Sequence, residues 1–169
     1  AIAVDLPPAD RMNSREFAQV DASPGPALAR GEFRWKQQGG RDLALYALER
    51  AARNDAAGVR AAWEKQRGLL PAADQLYGNA RIAFHAARQL HPLAAAWYRE
   101  AGNVALSDAA RAWRVRAALR SGDWPDVLAA IEAMPPAEAQ ESAWRYWKAR
   151  SLAALGRPVV PPENSQMAA

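Results

Sequence analysis

The sequence has no cysteine, only two histidines and no long uncharged apolar run. Without cysteine there is no disulfide and no thiolate metal site, and redox chemistry says nothing about the compartment. The two histidines, His85 and His91, are six residues apart. A metal centre needs three or four convergent donors, and no His/Asp/Glu cluster supplies them. Both histidines therefore read as structural, His91 as a boundary residue ahead of Pro92. A membrane span takes about 18 or more apolar residues; the apolar clusters here, such as residues 93–98, are short and closed by arginine. No Gly-x-Ser-x-Gly turn is present to carry a nucleophilic serine. Gly39-Gly40 is a lone pair before Arg-Asp, which suits a helix start and not a phosphate cradle. No cofactor is implied. Lysine is scarce, with Lys36, Lys65 and Lys148 against 19 arginines. The net charge of +4 is spread along the chain with acids interleaved. A nucleic-acid partner is not expected, because a basic stripe would cluster on one face. Mild attraction to an anionic polymer remains compatible with the charge.

What is present is helix. Half of the 169 residues are hydrophobic, enough for one domain, or a piece of a larger one, to bury a core. The first residue is Ala1 and the first methionine Met12, so the start reads as processed or excised. Residues 1–25, with Pro7-Pro8 and Ser23-Pro24-Gly25-Pro26, read as an irregular lead-in holding a short helix near residues 14–20. Residues 26–156 read as seven or eight helices, and 157–169 as a Pro-rich irregular tail. No segment alternates as a strand would. Leu76, Ala80, Ala83, Phe84, Ala87 and Leu90 form one helical stripe. Trp124, Val127, Leu128, Ile131 and Met134 form another, begun by Asp123 and ended by Pro135-Pro136. Trp144, Trp147, Ser151, Leu152 and Leu155 form a third, closed by Gly156 and Pro158. Further helix starts are expected at Asp42, Asp55 and Ser107, with Pro92 in a first turn.

Short connections make neighbouring helices antiparallel hairpins. Ala61-Ala62-Trp63, Ala95-Ala96-Trp97 and Ala129-Ala130-Ile131 recur at 34-residue spacing, as do Val59, Leu93 and Val127. Trp113 and Trp147, Arg116 and Arg150, and Gly122 and Gly156 are each one such period apart, and Asp55 and Asp123 two. A period of this length, broken at its middle, indicates stacked helix-turn-helix repeats. The expected fold is all-α: antiparallel hairpins with a tetratricopeptide-like period of about 34, stacked as a right-handed superhelical α-solenoid. Its expected core comprises Trp63, Trp97, Trp113, Trp124, Ile131, Trp144 and Trp147. Where the period calls for another helix after Arg157, prolines 158, 161 and 162 forbid one. The last hairpin is thus expected to be half-built, as in a fragment or a partner-covered end.

Three segments carry a resemblance: Trp113-Arg-Val-Arg-Ala-Ala-Leu-Arg-Ser-Gly-Asp-Trp, Val127-Leu-Ala-Ala-Ile-Glu-Ala-Met-Pro and Trp144-Arg-Tyr-Trp-Lys-Ala-Arg-Ser-Leu-Ala-Ala-Leu-Gly. They resemble the superhelical domain of soluble lytic murein transglycosylases, most closely over residues 113–156. The resemblance extends back toward Gly31 through residues 45–52, Tyr77-Gly-Asn-Ala-Arg and Trp97-Tyr-Arg-Glu-Ala. It implies a non-catalytic, periplasmic module that positions murein glycan strands. In that family a separate lysozyme-like domain cleaves the glycan to a 1,6-anhydro product, acting as a lyase on glycosidic bonds. Peptidoglycan, and a catalytic domain or another protein, are the implied partners.

The family's catalytic glutamate stands in a Glu-Ser motif, and Gln140-Glu141-Ser142-Ala143-Trp144 spells one. The Gly-Leu-Met-Gln and Ala-Tyr-Asn segments that accompany it are missing from this sequence. A general acid also needs a walled cleft, whereas Glu141 falls in a polar first helical turn, where acids suit the dipole. No catalytic residue is expected, and Glu141 is treated as a look-alike. The aromatic–cation run at 144–150 can stack sugars or bases, but Trp144 and Trp147 share a core face. The alternative function is a generic helical-repeat module for protein–protein interaction. A stand-alone lytic enzyme using Glu141 is the third reading.

Overall fold

The computed structural model describes residues 11–158. Among these are ten α-helices and one 3₁₀ turn, with no strand. The chain divides into two compact units, residues 1–114 and 115–169, whose boundary falls inside helix α7. The expected tail lies almost wholly outside the described residues, as do the first ten.

In the first unit, helical structure begins inside the stretch read as an irregular lead-in. Asn13 caps α1 (Ser14–Ala22) by accepting from the backbone N–H of Arg15 at 2.9 Å and Glu16 at 3.3 Å. Pro24 then opens α2 (Pro24–Arg30) from its first position, and Gly31 closes it at φ 69°. Helix α3 (Gln38–Ala52) starts four residues before Asp42 and takes in both glycines of the Gly39-Gly40 pair. Gly40 is needed there, because a Cβ would sit 2.6 Å from the carbonyl carbon of Arg34. Leu43, Ala44, Ala47, Leu48 and Ala52 form the buried stripe of α3.

Asp55 caps α4 (Ala56–Glu64) through the N–H of Gly58, at 2.8 Å. A 3₁₀ turn, Arg67–Leu69, leads to α5 (Ala72–Arg88). The stripe read in α5 is too narrow. Residues 78–80 and 82–87 are all buried, whereas Leu76 and Leu90 at its ends are exposed. Helix α5 is packed on several sides, against α3, α4 and α6 (Ala94–Ala101). Helix α6 starts at Ala94, two residues beyond Pro92, so Leu93 falls at its exposed N-cap and not in the core. Tyr98 is buried and donates its hydroxyl to the Ala110 carbonyl at 3.0 Å. Ser107 lies at the start of α7 (Asp108–Ser121), accepting from the Ala110 N–H at 3.4 Å. Each of α3 and α5 packs on both helices of the preceding hairpin, the arrangement of an α-solenoid.

The second unit holds the end of α7, α8 (Trp124–Glu132), α9 (Pro136–Ala139) and α10 (Ser142–Ala154). Asp123 caps α8 through the Asp126 N–H at 3.1 Å. Pro136 does not merely follow α8; it begins the four-residue α9. Gly122 and Gly156 have φ of 69° and 65° and close α7 and α10 by the same motif. The N–H of Asp123 reaches the Ala118 carbonyl at 3.2 Å, and that of Arg157 reaches Leu152 at 2.9 Å. Of the expected core residues in the two units, Trp63, Trp97, Ile131 and Trp144 are buried. Trp113, Trp124 and Trp147 are only partly buried. For Trp147 the reason is geometric: α10 packs on α8 and α9, which cover the Trp144–Ser151 side of the helix.

Candidate functional site

Glu141 is the exposed N-cap residue of α10 and makes no side-chain capping bond. Its carboxylate faces solvent, with none of the wall that a glycosidase acid requires. In the 144–150 run Trp144 is buried beneath the Arg116 guanidinium, 5.9 Å from the ring centroid. Tyr146 is exposed and meets Trp147 edge-on at 5.0 Å. His91 stacks on Trp97 with centroids 4.5 Å apart and accepts from the Leu93 N–H at 3.2 Å. His85 is buried elsewhere on α5, so the two histidines do not converge. Among the described residues no three His, Cys, Asp or Glu side chains form a metal-ligand group.

Folding instead brings together Glu49, Arg81 and His85, an association the sequence reading did not find. The Arg81 fork donates to Glu49 with both arms, Nε to Oε2 at 2.6 Å and Nη2 to Oε1 at 2.7 Å. His85 Nε2 lies 3.0 Å from Oε1, and Arg53 adds a longer pairing at 3.7 Å. Burial alone would raise the Glu49 carboxyl, but the hydrogen bonds from His85 and Arg81, with their charge, outweigh it. They hold its pKa down, from an ordinary 4.5 to about 2. A carboxylate so held carries no proton to donate at neutral pH, so the cluster works as a clasp between α3 and α5. The signal was there in weak form: Arg81 and His85 lie 32 and 36 residues beyond Glu49, on either side of one repeat period. Gln89 makes a second clasp, donating to the Ala52 carbonyl at 2.8 Å and accepting from the Ala56 N–H at 3.1 Å.

The Tyr77-Gly-Asn-Ala-Arg segment also has a clear physical role. Trp63 is wholly buried, and its indole N–H donates to Asn79 Oδ1 at 2.8 Å. A Cβ on Gly78 would lie 2.8 Å from Cη2 of that indole and 3.0 Å from Cε2. Gly78 therefore opens the socket, Asn79 fixes the ring within it, and Arg81 ties the same helix to Glu49.

One surface feature has the shape of a ligand site. A groove of about 780 Å³ opens between the loop joining α2 to α3 and the turn before α5, lined by residues 33–37, Arg41 and residues 69–71. Phe33 and Trp35 pack edge to face at 5.2 Å, and the Trp35 indole N–H is anchored on the Gly31 carbonyl at 3.1 Å. Arg34 pairs with Glu16 at 3.1 Å and bonds to Gln37. Arg41 reaches the Trp35 carbonyl at 3.3 Å, and its Nε lies 3.6 Å from Asp74. That Nε is buried and has no hydrogen-bond acceptor among the described residues.

No protein-family model matches the chain, and no curated protein matches it. Among solved structures, it is similar to the lytic transglycosylase Slt of Pseudomonas aeruginosa, an X-ray structure of an inactive mutant. The match has 26% identity and a TM-score of 0.67, and it covers 82% of this chain. The fold is lytic-transglycosylase-like. The chain spans 23% of the length of that Pseudomonas protein. As a helical module similar to part of a lytic transglycosylase, it presents a clasped carboxylate at Glu49, a solvated one at Glu141 and an aromatic, cationic groove.

Proposed function

We propose that this chain is a non-catalytic helical module of a murein-processing enzyme, holding glycan strands in the periplasm for a lysozyme-like domain to cleave. The observation that carries this reading is the 26% identity over 82% of the chain to a lytic transglycosylase. The carboxylates support the non-catalytic part: Glu49 is held ionised near pKa 2, and Glu141 is exposed at a helix cap. Guanidinium groups suit the carboxylates of murein stem peptides. A generic protein-interaction module is the second reading, favoured by the exposed Leu69, Leu76 and Tyr77. Incubation with purified sacculi, followed by chromatography of the released sugars, tests the absence of chemistry. No 1,6-anhydro muropeptide is expected. Their release by the wild type, lost in Glu141→Gln, would overturn the assignment and restore Glu141 as the acid.

A further inference from the structure

We propose that the groove beside Trp35 is a binding site for a carboxylate-bearing sugar, the chemistry of a muramyl peptide. The proposal rests on the murein reading above and names where on this chain the glycan is held. Its volume of about 780 Å³ falls within the ~300–1,000 Å³ typical of small-ligand sites.

The walls divide by chemistry. Phe33 and Trp35 form one wall, their edge-to-face packing and the indole bond to Gly31 holding the aromatic surface in place before any ligand arrives. Leu69, 56% exposed, lines the same groove with Leu70 and Pro71. A sugar ring presents a face of C–H bonds that packs on such surfaces, while its hydroxyls and acyl groups need polar partners at the rim.

Those partners are cationic. Three cations line the groove and no carboxylate does. The acids that balance Arg34 and Arg41, Glu16 and Asp74, are outside the lining. Lys36 is exposed at the groove and has no ion-pair partner among the described residues. Arg41 also lines the groove, its buried Nε lying 3.6 Å from the Asp74 carboxylate, beyond hydrogen-bond length. Asp74 already pairs with Arg41, so the ligand carboxylate is placed at Lys36, away from that pair.

The test is titration of the whole chain with N-acetylmuramyl-L-alanyl-D-isoglutamine, followed by amide chemical shifts, with N-acetylglucosamine and a short Glu-rich peptide alongside. Shifts at residues 33–41 and 69–71 are expected with the muramyl compound, with at least ~10-fold weaker binding for N-acetylglucosamine. Lys36→Glu, at an exposed site that leaves the fold intact, is expected to weaken binding by about 10-fold or more. Trp35→Ala should abolish binding, and Trp35→Phe should retain part of it. The proposal fails if shifts map elsewhere, or if Lys36→Glu binds as the wild type does. Equal binding of the Glu-rich peptide would make the groove a site for acidic peptide and would also overturn it. Sacculus binding unaffected by Lys36→Glu would remove the groove and leave the murein reading standing. If the wild type bound neither sacculi nor the muramyl compound, the murein reading itself would fall.

Discussion

Gly78→Ala puts the packing account at risk through the sign of its effect. Alanine in place of glycine within a helix ordinarily stabilises by about 1 kcal/mol. At Gly78 the added methyl would instead sit 2.8 Å from Cη2 of Trp63, well inside the ~3.5–4.0 Å of carbon–carbon contact. Trp63 has no exposed surface into which to retreat. Its indole N–H is also held by Asn79 at 2.8 Å, so moving the ring strands a buried amide oxygen. Overpacking costs about 1–3 kcal/mol, and an unmet buried acceptor about 1–3 kcal/mol more. After subtracting the propensity gain, a net loss of about 1–5 kcal/mol is expected, or a melting point lower by roughly 2–20 °C for a chain of this size. Thermal unfolding followed by far-ultraviolet circular dichroism measures it. Trp63→Phe shortens the ring at the clash, so the double variant should lose less than the two single losses combined. A Gly78→Ala protein as stable as the wild type, or more so, would refute the socket.

Three further outcomes follow from other residues. Glu49 has a depressed pKa in the fold, so its stabilisation is fully present above pH ~4.5 and is lost as pH falls toward about 2; that range corresponds to roughly 3 kcal/mol as an upper figure. Urea titrations of Glu49→Gln and wild type should differ at pH 7 by no more than this figure and converge near pH 2, and a pH-independent difference would exclude the clasp. Leu90 is the non-glycine residue with positive φ, 59°, among the described residues, and its side chain is 53% exposed; Leu90→Gly should raise stability by about 1 kcal/mol, and a lower melting point would contradict the strain. Asp123→Ala removes the cap on the Asp126 N–H and should lower the melting point by an amount corresponding to about 1 kcal/mol, with no change meaning that the cap contributes nothing.

How far the structure could be read from sequence depended on whether its causes were local. Asp55 and Asp123 cap helices of nine residues each, and the Gly122 and Gly156 terminators share one bonding pattern; in each case the residue itself carries the instruction. The Ala-Ala-Trp spacing was less faithful. Trp63 and Ile131 are each the eighth residue of their helix, but Trp97 is only the fourth of α6. The preceding α5 runs on to Arg88, which delays the start of α6 and leaves Leu93 exposed although it keeps the spacing of Val59 and Val127. The Glu49–Arg81–His85 clasp stayed hidden because arginines and acids are spread evenly and only packing selects the pairs. The groove was hidden for a different reason. Residues 33–37 are loop, and 69–71 are the end of a 3₁₀ turn and the two residues after it, so neither segment has a periodicity to read; Gly40 lets the Arg34 backbone approach α3.

The central claim, a module that holds murein without cutting it, is tested most directly by co-sedimentation with purified sacculi across a salt series. The wild-type chain is expected to pellet with sacculi at low salt and to be released progressively by added salt, as arginine–carboxylate attraction requires, with the sacculi left undigested. A chain that stays in the supernatant at every salt concentration, while far-ultraviolet circular dichroism shows it folded, would contradict the claim.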